Sequence, residues 1–161
     1  MAAFCARPEA KDISHVFVSD ERKAQDGADM LHRALGTPVT VDERLGENDR
    51  SATGYVAPPR FWEIVERFFS EPETSVLGWE RAVDAQTRIK AAVRDCVATC
   101  ADTTGDLCFI SHGGVGTLLL CDLLGEPISQ ERSQPMAGGG CFFVFDSATW
   151  ALEHGWRDIV P

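Results

Sequence analysis

The sequence predicts an α/β domain of three layers, with helices on both faces of a mostly parallel sheet. Three observations predict it. Short apolar runs of strand length alternate with helix-period segments along the 161 residues. Leu107 to Ile110 is one such run, flanked by Gly105 and Ser111, as expected of a buried strand in a doubly covered sheet. That run breaks at Ser111-His112-Gly113-Gly114 and resumes as the helical segment Val115–Leu124. Strand, tight turn and helix therefore follow one another, with a histidine at the carboxyl end of the strand, where open α/β sheets bind ligands. Glycines at the turn allow positive φ or close approach to a ligand, and the first amides of the helix point toward the same spot.

The remaining elements follow in order. Met1 to Arg7 is apolar and alanine-rich and ends at Pro8, so it reads as the tail of a helix. Ile13 to Ser19 is strand-like, which makes His15 a mid-strand, structural histidine. Arg22 to Leu35 places Ala24, Ala28, Leu31 and Leu35 at helical spacing, with Gly36 as the stop. A strand at Val39–Val41 comes next. Asp42 to Pro59 is polar and too long for a simple connection, and long ordered loops are often functional. Pro59 opens a helix with Phe61, Ile64, Val65, Phe68 and Phe69 on one face, ended by Pro72. Gly78 to Ala101 holds the longest helical pattern, with Ala82, Ala85, Ile89, Ala92, Val93, Cys96 and Cys100 on one face. Gly138-Gly139-Gly140 leads into a buried strand, Cys141–Phe145, and Trp150–Val160 reads as an edge strand paired with it across Asp146-Ser147.

A chain of this length fits one domain, residues 1–161, with a core of its own. Hydrophobic residues at 44% and charged residues at 25% are ordinary for a soluble protein. No apolar run approaches the length that spans a bilayer and no signal segment opens the chain, so no membrane and a cytoplasmic location are expected. The net charge of −10, with no Lys/Arg-rich run, argues against a nucleic-acid partner. Cysteines 5, 96, 100, 108, 121 and 141 are too scattered for a zinc-type pair and read as reduced core thiols.

The run Phe109-Ile110-Ser111-His112-Gly113-Gly114-Val115-Gly116-Thr117-Leu118-Leu119-Leu120 resembles the second-histidine motif of the histidine phosphatase superfamily, the phosphoglycerate-mutase-like proteins. Further elements stand in family order: Ser19-Asp20-Glu21-Arg22-Lys23-Ala24, Leu45-Gly46-Glu47, and Gly78-Trp79-Glu80 with Arg88 on the following helix. The resemblance covers nearly the whole chain. It implies a phosphoglycerate-mutase-like sheet and a phosphomonoester hydrolase that works through phosphohistidine, with no metal and no other cofactor. A phosphoryl group in transfer spreads negative charge over its oxygens, so clustered donors stabilise it while an acid protonates the leaving oxygen.

On this resemblance His112 is the second histidine, and Glu47 in its long loop is the acid. Lys23 falls where the family has arginine, so a cation is kept and the bidentate fork is lost. Arg22 is the adjacent cation, about 100° round the helix from Lys23. Ser19 hydrogen-bonds the site or caps the helix, and the Gly113 and Gly114 amides complete the phosphate cradle. Glu80 and Arg88 are scaffold, and Trp62 and Trp79 are packing. The ligand implied is phosphate or a small phosphorylated substrate.

One departure stands out. The family's first motif, Arg-His-Gly on the first strand, does not occur around His15, His32 or His154. The chain is therefore expected to start about one strand and one helix-turn late, either from a start placed at an internal methionine or as a shortened homologue without a nucleophile. The second case leaves a non-catalytic phosphate-ligand or protein-binding remnant. Since the family's first strand lies beside the one ending at His112, an open sheet edge and pairing with a second copy are also expected.

Overall fold

Ile-Ser-His-Val-Phe-Val, rich in β-branched and aromatic residues, forms β1 (Ile13–Val18), following a short helix α1 (Ala2–Cys5). The computed structural model describes residues 1–136 and 139–160, so Gly138 of the glycine run lies outside the described residues. After β1 comes α2 (Arg22–Leu35), which buries Ala24, Ala28 and Leu31. It stops at Gly36, whose φ of 72° is the left-handed conformation a glycine adopts without strain. Next are β2 (Val39–Val41), a short 3₁₀ turn at Glu43–Leu45, and α3 (Arg60–Ser70), with Ile64, Phe68 and Phe69 inward. Ala82, Ala85, Ile89, Ala92, Val93 and Cys96 form the buried stripe of α4 (Ala82–Thr99), matching the sequence periodicity. The chain ends with β3 (Asp106–Ile110), α5 (Gly113–Leu124), β4 (Cys141–Phe145) and β5 (Leu152–Asp158). Among the described residues no helix is long and apolar enough to cross a membrane.

The strands form two sheets. One has the order β2-β1-β3, all parallel, with Val16 opposite Val39 on one side and Cys108 on the other. The second is the antiparallel hairpin β4-β5. Alternation along the strands sends side chains to two cores, one on each face. Phe17, Leu107, Phe109, Phe143 and Phe145 join the core built with α3, α4 and α5. Val16, Val18, Cys108, Ile110 and Phe142 join the core built with α1 and α2. Helices thus cover both faces, and the three-layer α/β architecture stands as the sequence predicts.

β3 and β4 supply the same two cores, yet no ladder joins them among the described residues. The hydrogen bonds Ser19 N to Ile110 O and Asp106 N to Asp12 O turn Asp106, Cys108 and Ile110 toward β1. The backbone groups of Leu107 and Phe109 then face away from β1. On β4, Gly140 and Asp146 bond toward β5, so Cys141, Phe143 and Phe145 present the opposite edge. This corrects one expectation. The strands 107–110 and 141–145, read from the sequence as fully buried, are half-buried, because each lacks a hydrogen-bonded neighbour on one side. The three-stranded sheet is parallel throughout, as expected of a mostly parallel sheet, and the hairpin is antiparallel.

Amide exchange tests this assignment. The N–H groups of Leu107, Phe109, Phe143 and Phe145 are expected to exchange at least about tenfold faster than those of Val16, Phe17 and Val18, which are bonded on both sides. Equal protection of the two groups, read by mass spectrometry or NMR, would show that the edges are already paired.

Candidate active site

Parallel pairing brings the carboxyl ends of β1, β2 and β3 to the same edge, and each strand delivers one part of a polar cluster there. From β1 come Ser19 and Glu21, just ahead of α2. From β2 comes the segment that carries Glu47. From β3 come Ser111 and His112, with His112 as the cap residue of α5.

His112 is mostly buried, and its Nε2 lies 2.9 Å from Ser19 Oγ and 3.2 Å from Glu21 Oε1. Ser19 is fully buried and its Oγ accepts the Glu21 N–H at 3.1 Å, so it serves both the histidine and the start of α2. Glu21 Oε1 also accepts the Glu47 N–H at 3.0 Å. The Glu47 carboxylate accepts the N–H groups of Gly114 and Val115 at 3.0 and 3.1 Å, and Arg50 Nη2 stands 3.4 Å from it. A carboxylate there satisfies two amides that a helix start leaves without partners and meets the positive end of the helix dipole.

The glycines work differently from the turn the sequence suggests. Gly113 and Gly114 are the first two residues of α5, in helical conformation, and what demands glycine is close approach. A Cβ on Gly114 would collide with the Glu47 carboxylate, and one on Gly113 would lie 2.5 Å from the Gln134 amide nitrogen.

The Glu47 segment is fastened from beneath. Arg88 on α4 donates to the carbonyls of Arg44, Gly46 and Glu47 at 2.7, 3.1 and 3.3 Å. Its guanidinium also forms a two-pronged pair with Glu80 at 2.9 and 2.8 Å, which holds the arginine above its ordinary pKa. Ser111 Oγ donates to the Leu45 carbonyl at 2.6 Å, and the Leu45 side chain is fully buried. Upstream, the Arg44 guanidinium beside Asp42 keeps that carboxyl below its usual range. Glu80 and Arg88 are thus scaffold, as the sequence suggests.

The structure brings together Ser19, Glu47, His112 and Gly113-Gly114. It does not bring in both cations. Arg22 is a correction: its side chain is 89% exposed and pairs with Asp26 at 3.1 Å, one turn along α2, because its position on the helix turns it to solvent. Lys23 is exposed and makes no hydrogen bond with His112, Ser19 or Glu47 among the described residues. Its ammonium lies on the side of Gly139, 3.9 Å from where a Cβ of that glycine would stand. Trp79 is buried as packing and donates to Thr53 Oγ1, whereas Trp62 is half exposed. Glu21 and Arg50 are site members that sequence reasoning missed. Glu21 had one usable signal, a carboxylate between a strand-end serine and a helix start, but Asp20 shares it.

Residues 1–154 match the model of the histidine phosphatase superfamily, branch 1. The chain belongs to this superfamily. Comparison with curated proteins gave no match. Among solved structures, Bacillus stearothermophilus YhfR superposes with a TM-score of 0.68 at 20% identity, covering 96% of this chain and 77% of that one. A mycobacterial hydrolase superposes at 0.62 with 22% identity, over 98% of this chain and 73% of its own. A mycobacterial glucosyl-3-phosphoglycerate phosphatase, in complex with inorganic phosphate, superposes at 0.59 with 25% identity, over 80% of this chain. The chain spans 66% of that phosphatase's length.

Replacing Arg88 by leucine removes three anchors of the Glu47 segment and leaves Glu80 unpaired. The expected cost is about 3 kcal/mol of unfolding free energy, the scale of breaking a mostly buried ion pair. A urea midpoint within error of the wild type would show that the clamp does not hold the segment.

Proposed function

We propose that this site holds the phosphoryl group of a small phosphomonoester, in the manner of a metal-free phosphohistidine phosphatase. The observation that carries the reading is His112 Nε2 held by Ser19 beside the first amides of α5, at the edge where three parallel strands end. A histidine donor and helix-start amides are what a phosphoryl oxygen calls for. The glucosyl-3-phosphoglycerate phosphatase structure, which contains inorganic phosphate, supports the same ligand chemistry.

In the complete reaction a histidine nitrogen attacks phosphorus, the P–O bond to the leaving group breaks, and Glu47 gives its proton to the departing oxygen. Water then attacks the phosphohistidine, its proton returns to Glu47, and phosphate leaves. His112 binds the phosphoryl oxygens, with Lys23 as the outlying cation. The attacking histidine is the part that this chain does not supply on our reading. His15 Nε2 is bonded to Thr40 Oγ1, His32 Nδ1 to the Thr37 carbonyl and His154 Nδ1 to the Gly155 carbonyl, each at 2.8 Å.

A second reading is a non-catalytic binder of phosphate ligands. It is favoured by the Glu47 carboxylate, which accepts the Gly114 and Val115 amides and is thereby held as an acceptor rather than as a proton donor to a leaving group. The six free cysteines support a reducing compartment, the cytoplasm. The unpaired edges of β3 and β4 support a homodimer through strand pairing.

Titration with inorganic phosphate, followed by calorimetry, tests the site. Wild type is expected to bind and His112→Ala to bind at least about tenfold more weakly, the loss of one charge-assisted hydrogen bond. Hydrolysis of p-nitrophenyl phosphate is expected to stay at the His112→Ala level, with or without a chelator. A burst of product with phosphate trapped on any histidine would show that a nucleophile is present after all. Sedimentation over a range of concentrations is expected to show dimerisation that Phe109→Pro, which removes an edge donor, weakens. A monomer at all concentrations would exclude the dimer.

A further inference from the structure

Glu21 sits where two donors of the site meet. One oxygen, Oε1, lies 3.2 Å from His112 Nε2 and accepts the Glu47 N–H at 3.0 Å. It therefore joins the residue that follows β3 to the segment that follows β2. The other carboxylate of the site, Glu47, is engaged by Gly114, Val115 and Arg50.

The chemistry of the three groups around Nε2 decides where its proton lies. A serine hydroxyl accepts or donates, whereas a carboxylate only accepts. Were Nε2 bare, its partial negative charge would lie 3.2 Å from the Glu21 oxygen and repel it. With hydrogen on Nε2, Ser19 Oγ is its acceptor and the Glu21 carboxylate 3.2 Å away is attracted to it electrostatically. Ser19 alone would leave the ring free to take either tautomer. Exposure separates the partners further: the Glu21 side chain is 49% exposed, and that of His112 is 13% exposed. Glu21 is the member that can swing out to water.

We infer that Glu21 is a positioning residue, which keeps the proton on His112 Nε2 and acts as a resident anion on the donor that an incoming phosphoryl oxygen takes over. The second half rests on the phosphate reading above. A carboxylate oxygen and a phosphoryl oxygen share charge sign and acceptor geometry, so one replaces the other without rearranging the histidine. Binding phosphate then costs the displacement of Glu21 and its repulsion from the bound anion, which sets a ceiling on affinity.

The test compares wild type, Glu21→Gln and Glu21→Ala. Two-bond proton–nitrogen NMR of the ¹⁵N-labelled proteins reads the His112 tautomer at pH 9, above the ordinary imidazole range. Wild type and Glu21→Gln, whose amide oxygen still accepts, are expected to show hydrogen on Nε2. Glu21→Ala is expected to show a mixture of tautomers. Glu21→Gln is also expected to bind inorganic phosphate about fivefold more tightly than wild type, the scale of one like charge removed at a partly solvated site. An unchanged tautomer in Glu21→Ala, or weaker phosphate binding by Glu21→Gln, would overturn the inference. If no form binds phosphate, the phosphate reading fails by itself, and the tautomer comparison still decides whether Glu21 positions the ring. Near-ultraviolet circular dichroism confirms that both variants are folded before they are compared.

Discussion

Direct parallel pairing of β1 with β3 is the constraint on which the rest of the molecule depends. Phe17 stands opposite Phe109 and Val18 opposite Ile110, and the bond from Ser19 N to Ile110 O of 3.0 Å closes the ladder at its end. That register places Ser19 beside His112 although 93 positions separate them. A slip of one residue would turn Phe17 and Phe109 from one core to the other and carry the site residues with them. The chemistry at the sheet edge and the packing within the two cores are thus set by the same hydrogen bonds.

What sits on that edge is an acidic arrangement held from beneath by the partly buried Arg88. Arg88 reaches the carbonyls of the Glu47 segment, and Glu80 compensates its charge. A guanidinium suits this place because its five donors lie in a fixed plane and serve carbonyls and a carboxylate at once, which an ammonium would do poorly. The Glu47 and Glu21 carboxylates are tolerable in one site because each has its own partners: helix amides for Glu47, and a backbone N–H with the nearby His112 ring for Glu21. The site is therefore satisfied without a ligand, and an anion must compete for groups already in use.

Much of the site was legible because its residues stand at element boundaries, where residue type and neighbours carry information. Ser19, Glu47, His112 and the paired glycines could all be named from local context, and they do converge. Arg22 and Glu21 show where local context stops. They are consecutive to the eye in Asp20-Glu21-Arg22-Lys23, yet Arg22 points to solvent and Glu21 into the site. Helical phase and the residue's place just before the first turn decide that difference, and the charge pattern carries neither.

The sequence by itself determined the elements and their order, since the 3.6-residue and 2-residue periods and the stop at Gly36 act through neighbours along the chain. It determined the family as well, because His112-Gly113-Gly114 keeps its residue types wherever the fold places it. Only the tertiary structure decided that Gly114 is small to admit the Glu47 carboxylate, that Glu21 lies 3.2 Å from His112 Nε2, and that β3 and β4 serve the same two cores without a ladder between them. Each of these joins residues from different strands or helices. Such contacts are fixed by register and packing across the molecule, so no window along the chain contains them.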